Sequence, residues 1–175
     1  MTRRFNARNF LAAASLAALA ACVVNLGFDM PQTLHIRAAQ SGAISQMQAI
    51  DLNSYKEVQD HKGSVKSLSF NSADAVVTTV TSSSNSHLTG KISLRKSTDP
   101  TNGSADVPVG SLINVAITQG SAVHLPGSPA LDAFLLNELQ GDGKFSAVVS
   151  GNLDGAADFV LTVTVHASMG YDTGL

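Results

Sequence analysis

The chain has 175 residues, with 11 Lys and Arg against 13 Asp and Glu and a formal charge of −2. That balance argues against a phosphate-binding surface, which wants clustered Lys and Arg. Tryptophan is absent and tyrosine occurs twice, so a stacking platform for bases or sugars is poorly supported, and the single cysteine allows no disulfide within the chain.

The first residues read as an export signal. Arg3, Arg4 and Arg8 precede an apolar run from Phe10 to Ala21 in which Ser15 is the one polar residue. The run is shorter than the roughly 20 residues that cross a bilayer. Leu19-Ala20-Ala21-Cys22 follows at the expected distance. This stretch resembles the lipobox of bacterial lipoproteins. The resemblance implies removal of residues 1–21 as a signal peptide, a covalent lipid on Cys22 and a membrane anchor. Val23 in place of aspartate after the cysteine is similar to sorting toward the outer membrane. Thr2-Arg3-Arg4-Phe5 is only loosely similar to a twin-arginine signal, and ordinary export is expected. Cleavage there would leave thirteen acids against eight bases, so no nucleic acid is expected as partner. Membrane lipid, through the anchor, and an envelope or extracellular protein are. Lys56, Lys62 and Lys66 are interleaved with Glu57 and Asp60 and read as a solvated face.

Residues 22–32 read as a lipidated tether and 33–175 as one domain. From Thr33 to Ala39, Leu34, Ile36 and Ala38 alternate with His35 and Arg37, the period of a half-buried strand. Ile44 to Leu52 is a second candidate strand, and the polar stretch Asn53 to His61 a helical turn. Leu68 and Phe70 alternate with serines, and Ala75 to Thr81 is rich in β-branched residues that suit a pleated surface. Leu88, Gly90, Ile92 and Leu94 share one face of the next strand, and Ile113, Val115 and Ile117 one face of another. Ser128 to Gln140 predicts a helix: serine caps the amides, Pro129 suits the first turn and Gly141 the end. Leu131, Phe134, Leu135 and Leu139 form its apolar face, with Glu138 at an edge. Phe145 to Ser150 and Phe159 to Ala167 predict a final hairpin about Gly151–Gly155. The sum is an all-β, two-sheet sandwich with one short helix near residues 129–140, its rival a small barrel or a sheet covered by the helix. The cadence resembles immunoglobulin-like domains of exported bacterial proteins, which implies an immunoglobulin-like sandwich.

No GxSxG, HExxH, GxGxxG or P-loop pattern occurs, so an enzyme is not expected. His35 and His166 would meet if the first and last strands pair, giving a metal pair; the alternative is outward-facing or edge histidines. Asp99 and Asp106 bracket an oxygen-rich loop, and Asp154 and Asp158 flank another turn. These four are weak calcium candidates, since that ion takes six to eight oxygen ligands. The expected function is a non-catalytic binding, assembly or structural module, lipid-anchored in the cell envelope. The alternatives are a small ligand carrier, with Phe134 and Leu135 lining its cavity, and a cell-envelope hydrolase.

Overall fold

The computed structural model describes residues 23–99 and 105–174. Residues 1–22, with Cys22 and the cleavage zone, lie outside them, as do most of the oxygen-rich loop after Asp99 and Leu175 at the end. Eight strands form: β1 (Val23–Ala38), β2 (Gly42–Asp51), β3 (Val65–Ser83), β4 (His87–Lys96), β5 (Val107–Ala116), β6 (Ala122–Pro126), β7 (Lys144–Leu153) and β8 (Ala157–Asp172). Among the described residues two α-helices lie between them, α1 (Lys56–His61) and α2 (Pro129–Gln140), with short 3-10 turns on either side of α1.

The strands make two four-stranded sheets. Sheet A has the order β1-β8-β3-β6 and sheet B the order β2-β7-β4-β5. Every ladder is antiparallel. This is the expected all-β, two-sheet sandwich with one principal helix, and its strand order is that of a jelly roll of two Greek keys. Among the described residues only β4 and β5 are both consecutive in sequence and paired. Elsewhere the chain passes from one sheet to the other.

That crossing corrects the expected final hairpin. β7 lies in sheet B between β2 and β4, and β8 in sheet A between β1 and β3. The Gly151–Gly155 segment therefore bridges the sandwich. A turn of small residues announces a reversal, but not whether the two strands pair. The first strand also begins ten residues before Thr33. Val23–Gln32, expected as a tether, extends β1, with Phe28 and Met30 buried in step with Leu34 and Ile36. Pro31 masks the pattern; an edge strand tolerates its missing N–H, and β1 is an edge.

The core lies between the sheets. β1 contributes Met30 and Ile36, β8 Phe159, Leu161 and Val163, β4 Leu88, Ile92 and Leu94, and β7 Phe145 and Val149, all buried. β5 departs from the expected pattern. Val109 and Leu112 point inward, whereas Ile113 is 78% exposed. Register shifts in the β4–β5 ladder and the left-handed Asn114 (φ 50°) break the period of two that the alternation assumed.

Helix α2 packs its Leu131, Phe134, Leu135 and Leu139 against the sandwich. Phe134 meets Phe145 edge-on, with centroids 5.5 Å apart. The space that a carrier would need is filled at both named residues, Phe134 and Leu135. Ser128 caps the helix, its hydroxyl accepting from the Leu131 N–H. Ser128→Ala is expected to cost about 1 kcal/mol, read as a lower urea midpoint with unchanged slope; an unshifted midpoint would show that the cap contributes nothing. Glu138 is buried, where an edge position was expected, and burial raises its carboxyl above the usual carboxylate range.

Candidate functional site

Four of the five histidines contact a carboxylate, and the fifth, His61, stacks on Tyr171 at 3.8 Å. The most extended group crosses the outer face of sheet A. Asp29 on β1 stands opposite His166 on β8, and Asp74 on β3 opposite His124 on β6. His166 Nδ1 lies 2.7 Å from Asp29 Oδ1, and its Nε2 lies 3.0 Å from Asp74 Oδ2. His124 Nδ1 lies 2.7 Å from Asp74 Oδ1. Acid and base thus alternate across all four strands. Ionised carboxylates only accept, so both contacts are satisfied together when His166 is protonated and donates from both ring nitrogens.

The electrostatics agree. Hydrogen bonding, first to Asp29, raises the His166 pKa above the ordinary histidine value. Hydrogen bonds from His124 and then His166 lower that of Asp74. The two signs define a window. The Asp74 contribution is present above the unfolded carboxylate value, about 3.9, and is lost as pH falls through its lowered folded value. The His166 contribution is present below its unfolded value, about 6.5, and is lost as pH rises through its raised folded value. Thermal stability is therefore expected to be greatest in the mildly acidic range between them. His166→Gln should flatten the alkaline limb in melts followed by circular dichroism. An alkaline limb of equal slope in the variant would remove His166 from the account.

The expected histidine pair does not form. β1 does pair with β8, but His35 stands opposite Val160 and His166 opposite Asp29. Six residues of ladder separate them, roughly 20 Å at the strand rise. His35 contacts Asp158 at 2.7 Å, and Arg37 donates to the same carboxylate at 2.8 Å. The other calcium candidates are also engaged one by one. Asp106 takes a bidentate bond from Arg95 at 2.7 and 2.8 Å. Asp154 accepts the His87 backbone N–H at 2.6 Å and faces its ring at 3.2 Å. Asp154 and Asp158 thus flank one turn but face different partners. Asp99 borders the segment outside the described residues. Among the described residues no three His, Cys, Asp or Glu side chains are grouped to hold a metal ion. The row on sheet A bonds in a line rather than converging on a point. Sequence reasoning missed these pairs; the available signal was acids and histidines together at outward positions of strands.

The four sheet edges differ in a way that bears on interaction. Edges offer unpaired N–H and C=O groups, which proteins blunt with proline, charge, bulges or short length. β1 carries Pro31 with Asp29, His35 and Arg37, and β6 has five residues ending in Pro126. β5 carries Pro108, register shifts and the left-handed Asn114. β2 has none of these. It runs ten residues without proline and without charge before Asp51, and among the described residues it pairs only with β7. Met47, at its middle, is 49% exposed.

No family model matches the chain, and no curated protein matches it. Solved structures do. One of Desmodium yellow mottle tymovirus is similar at 6% identity and a TM-score of 0.39, covering 95% of this chain and 97% of the other. One of Turnip yellow mosaic virus is similar at 10% identity and a TM-score of 0.31, covering 84% and 96%. A second structure of that virus, at 100 K, gives 10%, 0.30, 86% and 99%. The structures matched are of viruses, not lipoproteins, and the expectations of place, role and partner that followed from the lipoprotein resemblance and from the acid–base balance are corrected accordingly. They comprise the lipid-anchored outer-membrane location, the envelope module with its carrier and hydrolase alternatives, and the membrane and envelope partners without nucleic acid. None is carried further. At such TM-scores nothing of the viruses is carried over either. No helix among the described residues is long and apolar enough to cross a membrane.

Proposed function

We propose that the chain is a non-catalytic structural protein that works by joining another protein chain along the open edge of sheet B. The observation that carries this is β2: of the four edges among the described residues it alone runs nine residues, up to Asp51, with no proline, charge or register shift. An added strand gains main-chain hydrogen bonds along such an edge, and alternate side chains set its register. The rest of the molecule supports a rigid platform. Its interior is packed with apolar side chains, and its histidines and aspartates tie neighbouring strands together.

Met47 reports on the edge directly. Mild peroxide oxidises exposed methionines faster than buried ones, and Met30 and Met169, both fully buried, serve as internal references. Met47 is expected to be shielded in extract from the source cells and reactive in the dilute purified chain. Equal reactivity in both would contradict the proposed function.

A further inference from the structure

Strand β2 is its own complement. Turned antiparallel about Met47, a second copy places Met47 opposite Met47, Gln46 opposite Gln48, Ser45 opposite Ala49, Ile44 opposite Ile50 and Ala43 opposite Asp51. Centring on a residue keeps the side-chain period of two in step across the pair. Ile44, Gln46, Gln48 and Ile50 then share the inner face, and Ala43, Ser45, Met47 and Ala49 the outer one. Each glutamine amide both donates and accepts, so Gln46 and Gln48 satisfy one another across the pair.

Charge favours the same occupant. Asp51 is the only charged residue of β2, and in this register it faces Ala43. The two Asp51 carboxylates fall at opposite ends of the pair, eight residues apart along the strand. That is roughly 27 Å at the strand rise, well beyond the screening length of about 8 Å at physiological salt. No like charges meet, and the nine residues before Asp51 carry no charge with which to select a charged partner.

Resting on the open-edge function proposed above, we propose that the partner is a second copy of this chain. The two β2 strands pair antiparallel about Met47 and join two four-stranded sheets into one continuous sheet. The interface is isologous, with a twofold axis through Met47.

The test is oxidative cross-linking of the full chain with Cys22→Ser as background. Across an antiparallel pair Cα atoms stand about 4.5–5.5 Å apart, within the span of a disulfide. Met47→Cys is expected to give a disulfide-linked dimer under conditions where Ile113→Cys, more exposed still and on the opposite edge of sheet B, stays monomeric. Ser45→Lys combined with Met47→Lys alters two exposed side chains and is expected to keep the native circular dichroism spectrum while weakening dimerisation at least tenfold. A dimer that survives both lysines, or a Met47→Cys chain that does not cross-link, overturns the pairing. A purified wild-type chain that sediments as a monomer at every concentration also overturns it. If Met47 is nevertheless shielded in extract, the edge binds a different chain and the proposed function stands without this partner.

Discussion

Phe145→Ala is expected to lower the free energy of unfolding by about 3–5 kcal/mol. The side chain is 1% exposed, on a strand that pairs on both sides. Its ring also meets Phe134 of α2 edge-on. Truncation removes the transferred apolar surface, the ring contact and the packing beneath the helix. β7 is held between β2 and β4, so the sheet has little freedom to close over the gap, which places the cost at the high end for core truncations. Domains are stable by only about 5–15 kcal/mol, so the variant approaches the limit of folding. Urea titration should show a much lower midpoint with an unchanged slope. Ile113→Ala, at a 78% exposed position, should shift the midpoint by no more than about 0.5 kcal/mol. Similar losses in the two variants would mean that the helix–sheet contact is not part of the core.

Gly127→Ala is expected to destabilise by about 3 kcal/mol, the upper end of the overpacking range. An added Cβ would sit 1.8 Å from the Phe70 carbonyl oxygen and 2.8 Å from that of Asn71. Both are backbone atoms, so no side chain can swing aside. The same point is tied down from two directions. The Gly127 N–H donates to the Asn71 oxygen at 2.9 Å, and Asp132 of α2 accepts the Phe70 N–H at 2.7 Å. Relief of the clash must break one of these ties and shift the start of the helix. Gly63→Ala, where nothing lies within 4 Å of the new atom, provides the comparison. Equal melting temperatures in the two variants would show that the close approach is not needed.

The elements most legible in the sequence were those coded locally. Ser128, Pro129 and Gly141 delimit α2 because caps act through hydrogen bonds to adjacent residues. Leu88, Ile92 and Leu94 predict their buried face because β4 holds the period of two across them. What failed depended on distant partners. Whether Gly151–Gly155 closes a hairpin or bridges two sheets is decided by β2, β4, β1 and β3, which lie far away in sequence. Ile113 does not share a face with the buried Ile117, and nothing local announces the register shifts of the β4–β5 ladder. The His166 row was missed for the same reason. Asp29, Asp74, His124 and His166 are neighbours only after sheet A has formed, and a slip of one residue would turn His166 to the other face. The bare edge at β2 was half legible. Its uncharged, proline-free run is visible in the sequence, but its place at the end of a sheet is not.

Amide hydrogen exchange of residues 42–51, followed as the purified full chain is concentrated, tests the role of β2 most directly. Outward-facing amides of β2 should gain protection as concentration rises, while those of β5, the opposite edge of the same sheet, stay unchanged. Exchange in β2 that is independent of concentration and matches β5 throughout would contradict the pairing of two copies along this strand.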